Sequence, residues 1–85
     1  MKMRAGVIVD FSGSWSSGIA ELVVKCNGEI IRIPCDNAAT VRALASIFPN
    51  VIAPGHRVNI SSLFGKKIRF ATDEFGLLTC LGGEE

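Results

Sequence analysis

The sequence lacks a strong excess of charge of either sign. Among its 85 residues, nine are Lys or Arg and eight are Asp or Glu, which gives a formal net charge of +1 at pH 7. Domains that bind nucleic acid by charge usually carry a clear basic excess, because phosphate contacts dominate that affinity. We therefore expect any nucleic-acid binding by this chain to be weak, or to be shared among the subunits of an oligomer.

Long apolar segments are also missing. No apolar run approaches the ~20 residues that span a bilayer. The apolar stretch that follows the basic N-terminus ends at Asp10, and it is shorter than the ~7–15 residues of a signal-peptide core. The three cysteines are an odd number, which does not suit a disulfide framework. These absences predict a cytoplasmic protein that does not bind membranes.

The chain has none of the common catalytic or metal-binding motifs. The Gly/Ser-rich residues 13–18 lack the Lys-Ser/Thr of a phosphate-binding loop, and Trp15 stands where a nucleophile elbow has its serine. The potential zinc ligands are Cys26, Cys35, Cys80 and His56. They lack the short spacing of a zinc knuckle, so packing of the cysteines in the core is favoured over a Cys₃His site. We expect no enzymatic activity, no cofactor and no metal.

The clearest local pattern is Asn27-Gly28, which lies between two segments of alternating apolar residues. Both residues tolerate a positive φ, as a type I′ hairpin turn requires. The turn predicts the cross-strand pairs Val24–Ile31, Leu22–Ile33 and Ala20–Cys35, which form one apolar face. The opposite face then carries the mixed set Glu21, Val23, Lys25, Ile30 and Arg32.

A strand and a helix flank this hairpin in the sequence. Residues 3–11 alternate well enough for a strand, in which Gly6 suggests a bulge or a bend. After Pro34, Asp36 suits a helix N-cap. One helical face is formed by Val41, Leu44, Ala45 and Phe48, and Pro49 and Asn50 end the helix.

A second hairpin is predicted from strands 66–72 and 77–81. The turn between them is Asp73-Glu74-Phe75-Gly76, in which Gly76 suits the left-handed position of a type I turn with a bulge. In this register Phe70 faces Cys80, and Thr72 faces Leu78.

The element order is therefore β-β-β-α-β-β, and the fold class is mainly β with one helix. This order resembles that of the OB-fold, a Greek-key barrel whose helix lies between strands 3 and 4. We expect a small five- or six-stranded OB-like barrel over residues 1–82, followed by a short acidic tail over residues 83–85. The main alternative is a six-stranded barrel of another topology, with a short strand at Val58–Ile60 and a helical turn at 61–65.

The resemblance also implies a place for a binding site. In OB-folds, the loops after strands 1 and 4 and the outer face of strands 2 and 3 bind oligonucleotides. Aromatic side chains for stacking and cations for phosphates are what single-strand binding needs. The candidate residues are Trp15, Lys25, Arg32, Arg57, Lys66, Lys67, Arg69 and Phe75.

Two hypotheses for function follow. The first is a non-enzymatic module that binds single-stranded nucleic acid. The alternative is a protein-interaction or assembly barrel, such as a homo-oligomer subunit, with Val23 and Ile30 in the contact. For the residues themselves, the alternative interpretations are that Trp15 caps the core and that the basic residues of strand 4 protect an exposed edge from aggregation.

Overall fold

A computed structural model describes residues 2–13, 18–49 and 60–83. Its elements are β1 (Arg4–Gly13), β2 (Ile19–Cys26), β3 (Glu29–Asp36), α1 (Asn37–Ile47), a single 3₁₀ turn (Ile60–Leu63), β4 (Lys67–Thr72) and β5 (Leu78–Gly83). The predicted order of five strands and one helix is confirmed. Trp15, His56, Arg57 and the proposed strand at Val58 lie outside the described residues.

The five strands form one antiparallel sheet in the order β3-β2-β1-β4-β5. Because β4 returns after α1 to lie beside β1, the first four strands make a Greek key. Strands β3 and β5 are the two edges, and they are not hydrogen-bonded to each other over the described residues. The sheet is therefore open, and the predicted closure into a barrel is not confirmed.

The first hairpin has the predicted register. Asn27 and Gly28 have φ values of 52° and 83°, as a type I′ turn requires. The pairs Val24–Ile31, Leu22–Ile33 and Ala20–Cys35 are all present. The residues of the turn were sufficient to predict this register, because a two-residue turn sets the pairing of every residue that follows it.

The second hairpin differs from its predicted register by one residue. The pair Thr72–Leu78 is confirmed, and Gly76 has the expected positive φ of 84°. The predicted pair of Phe70 with Cys80 is wrong, since Phe70 pairs with Leu81. Thr79 is an extra residue in β5, and its hydroxyl donates to the Ala71 carbonyl at 3.2 Å. This bulge shifts all later pairs by one position.

Gly6 serves close packing, and it does not mark the irregularity in β1. The register shift in β1 falls between Ile8 and Asp10. A Cβ atom on Gly6 would lie 3.1 Å from Cε1 of Phe70 and 3.2 Å from the Lys25 carbonyl oxygen. Strands β2 and β4 thus approach β1 closely at this point because residue 6 has no side chain.

The helix covers one end of the core as its sequence pattern predicted. The Asp36 carboxylate accepts a hydrogen bond from the Ala39 amide at 2.8 Å, which is the expected N-cap. Leu44 is fully buried, and the rest of the predicted face packs against the core: Val41, Ala45 and Phe48. The largest fully buried side chains are Phe70, Ile8, Leu22, Ile33, Leu44, Leu63, Ile68 and Val24.

Candidate functional site

Three of the predicted cations lie on the outer face of the sheet, opposite the core. Val7 of β1 pairs with Lys25 of β2 on one side and with Lys67 of β4 on the other. Arg69 pairs with Ala5, two residues away on β1. Because paired residues of antiparallel strands share a face, the three cations project together. We call Lys25, Lys67 and Arg69 the basic cluster.

The two lysines of the basic cluster border a shallow concavity, whereas Arg69 lines a separate one with Ser46, Ile47 and Gly83. The concavity has a volume of about 230 Å³ and is lined by Ala5, Gly6, Val7, Lys25, Asn27 and Lys67. Two strand spacings of ~4.8 Å place the Cα atoms of Lys25 and Lys67 about 10 Å apart. Within the described ranges, no ion pair involves any of the three cations, and all three are exposed. An anion in the concavity therefore meets two lysines across a floor of small and apolar side chains.

The other candidate cations in the described part of the chain do not join this cluster. Arg32 donates to Glu21 across the hairpin at 2.9 Å, in an exposed ion pair of little net energy. Lys66 is exposed and precedes β4, so alternation directs its side chain away from that of Lys67.

The outer face of β2 and β3 also exposes less apolar surface than its sequence predicted. Val23 is buried at 4% exposure, whereas Ile30 remains exposed at 56%. The expectation that both residues are available to a subunit contact is therefore wrong for Val23. Val23 lies between Asp10 of β1 and Arg32 of β3, its partners on either side.

A second concavity lies at the opposite end of the β2–β3 hairpin. This end groove has a volume of about 450 Å³ and is lined by Gly18, Ile19, Pro34, Cys35, Asp36, Leu77 and Leu78. The end of the β1–β2 loop, the end of β3 and the β4–β5 turn meet there. The Asn37 amide donates to the Gly18 carbonyl at 2.9 Å, which ties the loop end to the start of α1.

The β4–β5 turn presents Phe75 to solvent in a defined geometry. Phe75 is 79% exposed. One carboxylate oxygen of Asp73 accepts from the Phe75 amide at 2.8 Å and from the Leu77 amide at 3.0 Å. The Asp73 amide in turn donates to the Leu77 carbonyl at 2.9 Å. The carboxylate and the backbone of Asp73 thus fix the turn that carries Phe75, and Leu77, the residue after this turn, lines the end groove.

The surroundings of the end groove are acidic. Asp36 lines it, and Asp73 and Glu74 belong to the adjacent turn. The groove-lining residues include no cation, and the one ion pair among the described residues is Arg32–Glu21. Phosphate groups are therefore disfavoured at this end of the molecule, whereas apolar groups and cations are favoured.

Cys35 lines the end groove but is a poor nucleophile. Burial raises the pKa of its thiol, an effect only partly offset by hydrogen bonds with Thr40 and the Leu22 backbone. All three cysteines are free, and Cys26 and Cys35 are buried. Within residues 2–13, 18–49 and 60–83, no group of three or more potential metal ligands comes together.

Sequence reasoning missed both concavities as assembled sites. Ala5 and Val7 gave no signal, because their place between Lys25 and Lys67 depends on the pairing of β1 with β4. The place of Leu77 after the turn is consistent with its exposure, but its position in the same groove as Ile19 depends on the tertiary structure. The described parts of the chain contain no helix with the length and apolarity needed to cross a membrane. No protein-family model matches the chain, and neither the curated proteins nor the solved structures include a significant match.

Proposed function

We propose that the protein is a small, non-enzymatic domain that binds single-stranded nucleic acid weakly on the outer face of its sheet. The observation that supports this proposal is the basic cluster. Strands β2 and β4, on either side of β1, bring Lys25, Lys67 and Arg69 to one face, and the two lysines line a concavity without an acidic lining residue. The charge is thus concentrated locally, although the net charge of the chain is only +1.

In this proposal the cations bind the phosphates of the strand. Lys25 and Lys67 contact one phosphate across the concavity, and Arg69 contacts the next. Phe75 lies outside this interface, because Asp73 and Glu74 in its turn disfavour phosphate groups there.

The number of contacted phosphates sets the expected salt dependence. For single strands, the logarithm of the association constant falls with the logarithm of salt concentration with a slope of about −0.7 per contacted phosphate. Two phosphates predict a slope of about −1.4. Affinity should then fall about 7-fold between 50 and 200 mM salt, which is a small change for a nucleic-acid-binding protein.

The test is fluorescence anisotropy of a labelled dT₁₂ oligonucleotide, titrated with protein at several KCl concentrations. The double variant Lys25→Ala/Lys67→Ala should reduce the slope to about −0.7, because one contact remains. Arg42→Ala is the matched control, since Arg42 is an exposed cation on α1 outside the cluster. Absence of binding at the lowest salt, or an equal effect of the control and the double variant, would refute the proposal.

A further inference from the structure

The β2–β3 hairpin has two chemically complementary ends. One end contributes to the acidic, apolar end groove, and the other end carries the turn at Asn27-Gly28. Of the exposed large apolar side chains, Ile19 and Leu77 line the groove, Phe75 lies in the adjacent turn, and Ile30 lies near the hairpin turn. Each end therefore exposes apolar area, and a contact that buries this area is favourable.

The groove end offers a large apolar surface with negative charge beside it. Ile19 is 63% exposed, Phe75 79% and Leu77 46%. Glu74 is exposed in the turn that holds Phe75, and no described cation pairs with it. A ligand for this groove therefore needs an apolar group to fill it and a positive charge at its edge.

The turn end of the hairpin has this combination. Lys25 and Ile30 are directly paired across the two strands and share the outer face. Lys25 is exposed, and Ile30 is 56% exposed. The nearby Glu29 pairs with Cys26 on the other face of the hairpin, so it does not neutralise Lys25. We call Lys25 and Ile30, with the turn between their strands, the hairpin tip.

We propose that the hairpin tip of one copy of this chain docks in the end groove of a second copy, with Ile30 in the groove and Lys25 beside Glu74. One copy cannot make this contact with itself, because its tip and groove lie at opposite ends of β2, about 20 Å apart. Two copies joined by one such contact leave one tip and one groove unoccupied between them. Further copies dock at these ends to build an open chain or a ring, and in the smallest ring two copies dock reciprocally, each tip in the groove of the other.

This contact and the proposed binding of nucleic acid both use Lys25, but they are independent proposals. Self-association depends on Ile30 and Glu74, which have no part in phosphate binding. Lys67 and Arg69 have no part in the contact between copies. The two proposals can therefore fail separately.

The experiment is sedimentation velocity on nuclease-treated protein at low salt, over a hundredfold range of concentration. We expect the average mass to rise with concentration above that of the monomer. Lys25→Glu and Glu74→Lys should each weaken association about 10-fold, because each places like charges together. Ile30→Ser should weaken it through loss of the apolar contact.

The decisive measurement is an equimolar mixture of the Lys25→Glu and Glu74→Lys variants. Each variant alone repels its own kind, whereas every tip in the mixture finds a groove of opposite charge on the other variant. Association should therefore return in the mixture. Arg42→Glu, which changes the net charge as Lys25→Glu does, should associate like the original chain, and circular dichroism should show that all variants are folded.

Three results would overturn this proposal. One is an average mass that stays at the monomer value at every concentration. Another is an association that Lys25→Glu, Glu74→Lys and Ile30→Ser all leave unchanged, since that indicates a contact outside the tip and the groove. The third is a mixture of the two charge variants that remains as dissociated as its components.

Discussion

Substitution of Gly6 by alanine tests the close packing of the three central strands. The new Cβ would lie 3.1 Å from Cε1 of Phe70 and 3.2 Å from the Lys25 carbonyl oxygen. The backbone at Gly6 is not among the positive-φ positions, so the cost is steric. Phe70 is fully buried, with the Arg4 guanidinium 4.9 Å from its ring centre, and neither neighbour can move without disturbing other contacts.

The magnitude follows from two opposing effects. Overpacking of a tight core position costs about 1–3 kcal/mol. Loss of glycine's freedom in the unfolded chain returns about 0.4–1 kcal/mol. We expect Gly6→Ala to lower the free energy of unfolding by about 1–2 kcal/mol, which corresponds to a fall in Tm of about 5–15 °C in a domain of this size.

Urea denaturation and thermal melting, both followed by circular dichroism, measure this change. Gly82→Ala is the matched control, because it also places alanine in a strand and its Cβ meets nothing within 4 Å. The control should be unchanged or slightly stabilised. Equal stability of the two variants would show that β1 is not packed as tightly as the distances indicate.

Three other predictions concern the helix cap and the cysteines. Asp36→Ala should lower stability to urea by about 0.5–2 kcal/mol through loss of the Ala39 hydrogen bond, whereas Asp36→Asn should retain most of it; equal losses would contradict the cap. Cys80, the only half-buried cysteine, should react with a thiol reagent faster than Cys35, and the reverse order would contradict the burial. Because the folded pKa of Cys35 is raised, its neutral form contributes stability below the unfolded pKa of about 8.5, which is lost as pH rises through the folded value. Urea denaturation at neutral and alkaline pH should show this loss, and Cys35→Ala should reduce it.

Local sequence determined the elements that depend on neighbouring residues. The Asn27-Gly28 turn set the first hairpin, because both residues adopt positive φ and a two-residue turn leaves one register. Asp36 set the start of the helix in the same local way, because its carboxylate accepts a hydrogen bond from the amide of Ala39, three residues later. In the second hairpin, the pair Thr72–Leu78 beside the turn was predicted correctly, but the pairs beyond Thr79 were not. Nothing in the composition of the hairpin marks the extra residue of the bulge.

The tertiary structure decided the sites. Lys25 and Lys67 are 42 positions apart in the chain, and they meet across Val7 only because β4 returns to pair with β1. Ile19 and Leu77 likewise line one groove although they lie far apart in the chain. Strands β3 and β5 are the two edges of the sheet, and they do not pair with each other over the described residues. A turn or a cap is set by interactions within a few residues, so sequence alone predicts it. A strand crossover depends on the burial of the whole core, so neither the basic cluster nor the end groove exists until the chain has folded.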